Sequence, residues 1–146
     1  RFHHRFTVQS HLQAVADFHL HPQVLRQITP PPTILHLHHA PDPIRQGDSL
    51  AFTLWIGPFP VYWESHFPEV TPTGFLDTQG RGPFRSWQHR HTFVPIDVQA
   101  TDIVDEIEAH LRPHPYYGPV GLLMWLSLPF LFAYRKWKTR RLLRRK

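Results

Sequence analysis

Alternating apolar and polar positions in the middle of the chain predict a β-sheet. Between residues 33 and 111, apolar residues recur at every second position, which is the period of a strand with one buried face. Short segments rich in Pro, Gly and Asp interrupt the alternation and are typical of turns. The pattern therefore predicts six consecutive antiparallel strands, at residues 33–39, 49–56, 59–68, 74–80, 84–94 and 101–111.

The two ends of the chain predict the remaining elements. Residues 2–8 alternate in the same way and predict another half-buried strand. Helical spacing of apolar residues predicts two short helices, the first capped by Ser10 and the second starting at Pro22. A long stretch without charge near the carboxy terminus predicts a helix from about Val120, with a kink at Pro129.

This order of elements predicts an α+β fold in a single domain that spans residues 1–146. A chain of 146 residues is long enough to bury one core, and no linker divides it. A curved antiparallel sheet would leave an apolar face to be covered. The long carboxy-terminal helix, lying across the concave side, would supply that cover.

Positive charge is concentrated at the carboxy terminus. The formal net charge is +5, but half of the 16 Lys and Arg residues lie in the segment 135–146. The remaining body has 8 basic and 11 acidic residues, and hence a net charge of −3. Such a body is a poor surface for phosphates, so we predict no nucleic-acid partner.

Cysteine is absent, which excludes disulfides and thiolate metal sites. The chain begins at Arg1 and its only methionine is Met124, so we expect its natural amino terminus to lie further upstream.

The sequence resembles a known superfamily over nearly its whole length. The strings that carry the resemblance are FHLHPQVLRQITPP (18–31), IGPFPVYWESHF (56–67), GFLDTQGRGPFRSWQHRHTF (74–93), DIVDEIEAHL (102–111) and FAYR (132–135). They are similar, in the same order, to a small bacterial subgroup of the START-like superfamily, also called SRPBCC. The string at 74–93 is the most specific, and the final helix departs from the subgroup by being more apolar.

The resemblance implies a helix-grip fold. In that fold a seven-stranded curved antiparallel sheet, with two short helices, grips a long carboxy-terminal helix over its concave face. A hydrophobic cavity between sheet and helix is also implied. We therefore expect a bacterial, cytoplasmic protein without a cofactor that binds or carries a lipid, a quinone or a polyketide-like molecule. The alternatives are an enzyme of the cyclase or dehydratase type, and a module at the membrane periphery that exchanges lipid or quinone.

Strand parity predicts which residues would line that cavity, provided that the aromatic face of residues 84–94 points inward. The predicted ligand-binding residues are Trp63, Phe75, Asp77, Gln79, Trp87, His89, His91 and Asp105 on the sheet, with Met124 and Leu128 on the helix. Aromatic residues on successive strands, including Trp55, Phe67 and Phe93, could stack on a planar ligand.

His89, His91 and Asp105 are the candidate catalytic residues. A carboxylate would orient a histidine that acts as general base on a bound ketone or enol. The alternative is that these groups only hydrogen-bond to one another in the cavity wall. His36 and His38 also have a spacing that places two imidazoles on one strand face, but no third ligand has a diagnostic spacing. We therefore predict no metal site.

The carboxy-terminal segment has two interpretations. Sixteen uncharged residues make a helix about 24 Å long, which is short of a hydrocarbon core of about 30 Å, so we do not expect it to span a membrane. Its apolar residues occupy every side, so some of that surface must meet loops, another subunit or a membrane. Trp137, Lys138, Arg140 and Arg141 are candidates for peripheral contact with an anionic membrane. The alternative is a solvated basic end that favours the helix dipole.

Overall fold

The computed structural model describes residues 1–144 and has the predicted α+β architecture. Arg145 and Lys146, the end of the predicted basic segment 135–146, lie outside the described residues. In chain order the elements are β1 (Phe2–Val8), α1 (Leu12–His19), α2 (Pro22–Gln27), β2 (Ile34–His39), β3 (Ser49–Ile56), β4 (Phe59–Thr71), β5 (Gly74–Arg81), β6 (Phe84–Asp97), β7 (Ala100–Leu111) and α3 (Tyr117–Arg144).

The seven strands form one curved antiparallel sheet in the order β1-β7-β6-β5-β4-β3-β2. From β2 to β7, strands that follow each other in sequence pair side by side, as the meander prediction requires. β1 joins the far edge by pairing with β7, so that Phe2 faces Ile107 and Val8 faces Thr101. The predicted seven-stranded sheet is therefore confirmed, and β5, β6 and β7 lie next to one another.

The first helix is capped by His11 and not by Ser10. The Nδ1 atom of His11 accepts a hydrogen bond from the backbone N–H of Ala14, at 3.3 Å. The Ser10 carbonyl instead accepts a hydrogen bond from the Thr101 hydroxyl, at 2.8 Å. The Ser10 prediction was wrong because this residue is held against β7, and the next residue supplies the cap.

The last helix begins at Tyr117, three residues before the predicted start. Nδ1 of His114 accepts hydrogen bonds from the backbone N–H groups of Tyr116 and Tyr117, at 3.0 and 3.2 Å. These bonds satisfy donors that have no partner inside the helix, so a histidine in the preceding loop extends the helix by one turn.

One face of α3 is buried against the sheet and α1, and the opposite face is exposed. The residues of the buried face recur at helical spacing, and they are Gly121, Leu128, Phe132, Thr139 and Leu143. The helix continues through Pro129, which has no N–H, so the carbonyl four residues earlier, on Trp125, lacks its helical donor.

Both ends of α3 are fixed to the sheet. At the start, a Cβ on Gly121 would lie 3.3 Å from a methyl carbon of Leu111 and 3.4 Å from the Pro83 carbonyl oxygen, so glycine permits this close approach. Near the end, Nε of Arg140 donates a hydrogen bond to the Thr7 carbonyl, at 2.9 Å. The middle of the helix lies between these two attachments, over the concave face.

Candidate ligand-binding cavity

A cavity of about 450 Å³ lies between the sheet, α2 and the middle of α3. That volume falls in the range of pockets that hold small organic ligands. Its wall is mainly apolar, and the apolar side chains come from every layer of the fold. They include Val24 and Leu25 from α2 with Ile28 at its end, Leu35, Leu50, Phe52 and Leu54 from β2 and β3, and Met124, Leu128, Leu131 and Phe132 from α3.

Most of the residues predicted to bind a ligand line this cavity. The eight that do so are Trp63, Phe75, Asp77, Trp87, His89, His91, Met124 and Leu128. The inward direction of the β6 aromatic face is therefore as expected from parity, and ligand contact by these residues stays a prediction.

Gln79 does not line the cavity. Its side-chain amide donates to the Phe84 carbonyl at 2.7 Å and accepts from the Phe84 N–H at 3.1 Å. Gln79 still pairs with Ser65 of β4, but the pairing of β5 with β6 ends at Thr78 opposite Gln88, so Gln79 lies where β5 has already left β6. The alternating pattern of β5 therefore assigned one residue too many to the cavity wall. The Gln79 side chain instead bridges the β5–β6 hairpin by its hydrogen bonds to Phe84.

Asp105 lies behind the cavity wall, where it holds two histidines. Its Oδ1 atom accepts a hydrogen bond from Nε2 of His89 at 2.8 Å, and Nδ1 of His91 lies 3.2 Å from the same oxygen. The two imidazole rings stack at 3.7 Å between centroids, and the His91 ring also stacks on Phe75 at 4.0 Å. Asp105 is the register partner of His91, so adjacent strands bring the predicted catalytic candidates together.

Burial controls the charge state of this cluster. Burial alone would raise the pKa of Asp105, but the hydrogen bonds and charges of His89 and His91 hold it well below its usual range. Burial lowers the pKa of His91 to about 4 and also lowers the pKa of His89, against the attraction of Asp105. At neutral pH the cluster is therefore one carboxylate with two neutral imidazoles. His89 donates through Nε2, which leaves Nδ1 as its basic nitrogen.

Asp77 lines the cavity from β5, opposite His89 in the strand register. Burial raises the pKa of Asp77 to about 7, although a hydrogen bond from Ser65 and the charge of Arg135 oppose the shift. Its Oδ1 atom is buried and has no hydrogen-bond partner. This carboxyl group therefore changes charge near neutral pH, inside a mainly apolar chamber.

His19 is a cavity residue that the sequence analysis did not select. Its Nδ1 atom donates to the Val15 carbonyl at 2.8 Å, which fixes the proton on that nitrogen and leaves Nε2 free to accept. Burial lowers the pKa of His19 to about 4. The available signal was its helical spacing from Val15, which places it on the buried face of α1.

Arg135 is the second cavity residue that was missed. Its guanidinium carbon lies 5.3 Å from the ring centroid of Phe132, and its Nε atom is buried without a hydrogen-bond partner. Burial lowers the pKa of Arg135, against the attraction of Asp105 and Asp77. Sequence reasoning grouped Arg135 with the basic tail, yet it follows Leu128 and Phe132 at helical spacing on the buried face.

Three residues could hold a metal ion. The ligand atoms of His89, His91 and Asp105 all lie within 4.8 Å of one another, and this is the one such group within residues 1–144. Two imidazoles and a carboxylate would suit zinc. A bound ion would have to displace the His89 hydrogen bond and would feel the positive charge of Arg135, both of which oppose binding.

His36 and His38, whose spacing alone did not predict a metal site, lie on the outside of β2 at the edge of the sheet, with ring centroids 4.9 Å apart. There Nε2 of His38 forms a hydrogen bond with the Thr53 hydroxyl, at 2.7 Å.

Trp55, which was expected to stack on a planar ligand, is also outside the cavity and is 40% exposed. It follows Leu54 by one residue and so points to the other face of the sheet.

The four candidates for membrane contact separate into two groups. Trp137 is 53% exposed, with Lys138 and Arg141 over its ring. Arg140 turns inward instead, where its guanidinium covers the Phe6 ring in addition to binding the Thr7 carbonyl. Helical spacing explains the difference, since Arg140 lies next to the buried Thr139 and Leu143.

The exposed face of α3 is apolar along most of its length. The exposed fractions are 45% for Leu122, 60% for Leu123, 63% for Leu126 and 79% for Phe130. By length and composition alone α3 could cross a membrane, and 17% of its 18-residue apolar window is buried. Phe130 also lines the cavity, so this exposed surface is continuous with the cavity mouth.

Several solved structures are similar to the chain. The Zhui aromatase/cyclase from Streptomyces sp. R1128 has a TM-score of 0.68 at 15% identity, over 97% of this chain and 94% of its own. A norcoclaurine synthase point mutant from Thalictrum flavum, in complex with a transition-state analogue, gives 0.69 at 17% identity, over 97% and 92% of the two chains. A START superfamily protein from Mycobacterium smegmatis gives 0.67 at 14% identity, over 97% of each.

No protein-family model matches the sequence, and no curated protein is significantly similar to it. At identities this low, the structural similarity shows the fold alone.

Proposed function

We propose that this chain, a protein of the START-like helix-grip fold, binds and carries a hydrophobic small molecule in the cavity under α3. The observation that carries the proposal is the apolar chamber of about 450 Å³, into whose wall a few buried polar groups are set. This combination is typical of ligand sites, since apolar burial supplies affinity and a few polar groups set orientation. Burial of ~200 Å² of apolar ligand surface would contribute about 5 kcal/mol before the costs of association.

Native mass spectrometry of protein purified from its own host, followed by organic extraction, tests the proposal. We expect a lipid, quinone or other apolar molecule to remain bound under native conditions and to be released on unfolding. Leu128→Trp, which fills the chamber beneath α3, should lose that ligand, whereas Ile34→Trp on the exposed edge strand should keep it. Wild-type protein that is always empty and fails to bind an apolar fluorescent probe would contradict the proposal.

A cyclase or dehydratase activity is the alternative, because Asp105 orients a neutral histidine in an apolar chamber. In this mechanism His89 takes a proton from a bound ketone or enol, and the carboxylate stabilises the resulting imidazolium. His89→Asn should then abolish turnover while apolar ligands still bind. Unchanged turnover in this variant would exclude His89 as the base.

Docking on an anionic bilayer is a further function that the exposed face of α3 favours. Apolar residues lead along this face from Leu122 to Trp137, and Arg141 and Arg144 continue it. Apolar side chains would enter the headgroup region while the cations pair with lipid phosphates, each at about 1 kcal/mol. Because Phe130 is at the cavity mouth, docking would bring the mouth to the source of an apolar ligand.

Co-sedimentation with phosphatidylglycerol vesicles at low salt tests the docking proposal. Leu126→Glu should abolish co-sedimentation, because it places a carboxylate in the apolar face. Val98→Glu, at a position 82% exposed in the β6–β7 turn, is the matched control and should co-sediment like the wild type. Wild-type protein that stays in the supernatant would contradict docking.

A further inference from the structure

The cavity concentrates polar atoms that lack partners. Within residues 1–144, four buried side-chain nitrogen or oxygen atoms have no hydrogen bond, and three belong to residues lining this chamber: Asp77 Oδ1, His91 Nδ1 and Arg135 Nε. Of these, His91 Nδ1 still lies 3.2 Å from Asp105 Oδ1, which leaves Asp77 Oδ1 and Arg135 Nε as the two without a partner. Buried polar groups in folded proteins are nearly always paired. Two exceptions in one cavity indicate that a polar group of the ligand completes them.

Of these two atoms, Nε of Arg135 is the more costly to leave unpaired, because it belongs to a charged guanidinium. No carboxylate within residues 1–144 lies within 4.0 Å of its guanidinium. Asp105, one of the carboxylates that attract it, already binds His89 at 2.8 Å. The close side-chain neighbour of the guanidinium is the face of Phe132, which cannot accept hydrogen bonds as an anion does. A guanidinium whose Nε atom is buried without an ion pair is costly, so an anion would stabilise this site.

The neighbouring groups are compatible with an anion as well. His19 and His91 are neutral at pH 7, because burial lowers the pKa of each to about 4. Burial raises the pKa of Asp77 to about 7, so its protonated form is available to donate an O–H to a ligand oxygen. An incoming amine would instead meet the unpaired positive charge of Arg135. A phosphate monoester would bring a second negative charge next to Asp77 and Asp105, which disfavours it.

We propose that the ligand is an amphipathic organic acid whose carboxylate is bound by Arg135 and whose apolar part fills the remainder of the cavity. The planar guanidinium can donate two parallel hydrogen bonds to a carboxylate, which gives both charge and direction. This inference rests on the proposed ligand-binding function and specifies the class of ligand that the same cavity takes.

Decanoic acid and decanol form a matched pair of probes, since they share an alkyl chain and differ in the head group. Binding of each at pH 7 can be followed by the fluorescence of Trp63 and Trp87, which line the cavity, and by calorimetry. We expect wild-type protein to bind the acid at least tenfold more tightly than the alcohol. Arg135→Met should remove this preference by weakening the acid alone, while Arg85→Met, at an exposed position on β6, should retain it.

Equal affinity of the wild type for the two probes, or a preference that survives Arg135→Met, would overturn the inference while leaving alcohol binding as support for the cavity function. Failure of the wild type to bind either probe would instead count against the cavity function itself. Arg135→Lys, which keeps the charge but not the planar fork, should show an intermediate preference. It provides the same comparison if Arg135→Met does not fold, as judged by circular dichroism.

Discussion

At the scale of single residues, Asp105 determines how the polar side of the cavity is organised. It is 4% exposed and accepts from His89, while His91 lies beside the same oxygen. One buried carboxylate thereby fixes the tautomer of His89 and positions two rings from the neighbouring strand. Charge buried in this way stabilises a fold only while its partners remain in place.

Asp105→Asn should lower the free energy of unfolding by about 2 kcal/mol at pH 7, because the neutral amide oxygen is a weaker acceptor for the buried His89 N–H than the charged carboxylate. Urea unfolding of the variant measures the change. Glu108→Gln, at an exposed position on the same strand, removes a carboxylate without removing a buried partner and should be close to neutral. Equal effects of the two substitutions would show that the Asp105 cluster does not stabilise the fold.

Helical spacing also explains why two of the cavity's polar residues were missed. His19 follows Val15 by four residues, and Arg135 follows Leu128 by seven, so both lie on buried helix faces. The signal was present in the sequence, but charge on Arg135 favoured assigning it to the solvated tail. Burial of a cation could be recognised only once the cavity beneath α3 was known.

At the scale of elements, the start of β5 is fixed by a close backbone approach. Gly74 has a φ of +152°, and a Cβ on it would lie 2.1 Å from the backbone oxygen of His91. Only glycine fits a strand start that is both strained for other residues and in contact with β6. The position of the His91 backbone, and hence of its ring in the cavity, depends on this glycine.

Gly74→Ala should reduce the free energy of unfolding by about 3 kcal/mol, because β5 and β6 must separate to admit the methyl group. Gly57→Ala tests the effect of backbone conformation alone, since Gly57 has a φ of +61° but no atom within 4 Å of an added Cβ. Its loss should be about 1 kcal/mol. A smaller loss for Gly74→Ala than for Gly57→Ala would contradict the close approach.

At the scale of the whole molecule, the buried titratable groups predict how stability depends on pH. Burial lowers the pKa of His19 and His91 to about 4, so between pH 6.5 and 4 the unfolded chain binds two protons that the folded chain does not. Burial raises the pKa of Asp77 from 3.8 to about 7, so in that window the folded chain holds one proton that the unfolded chain releases. Burial also lowers the pKa of His89 and of His4, which adds to the proton uptake of the unfolded chain. Unfolding therefore takes up at least one proton net, and stability falls as the pH falls.

Urea unfolding between pH 4 and 6.5 should accordingly show a slope of at least about 1.4 kcal/mol per pH unit for the wild type. Asp77→Asn removes the opposing proton and should steepen the slope by about a further 1.4 kcal/mol per pH unit. Stability that increases on acidification, or an unchanged slope in the variant, would show that these groups do not titrate as their burial requires.

The helix-grip fold was predictable from the sequence because its periodic patterns are long. Strict alternation over β6 and β7 defined the strands and also the inward face, which brought Trp87, His89 and His91 to the cavity. The incorrect residue predictions fall at positions where the alternating or helical pattern of apolar residues ends. Gln79 lies beyond the last residue pair of β5 with β6, and Ser10 precedes a helix whose cap is the next residue. Local side-chain hydrogen bonds decide such positions, and alternation carries no information about them.

Pro129 gives the covering helix a weak point at a defined position. With α3 attached near Gly121 and again near Arg140, its ends cannot swing away, but one backbone hydrogen bond is missing between them. The cavity is therefore expected to admit its ligand by brief local separation around residues 127–132, while the sheet stays intact. Amide hydrogen exchange should be faster there than in residues 136–143, and slower once a ligand is bound. Uniform protection along the helix would mean that the chamber opens elsewhere.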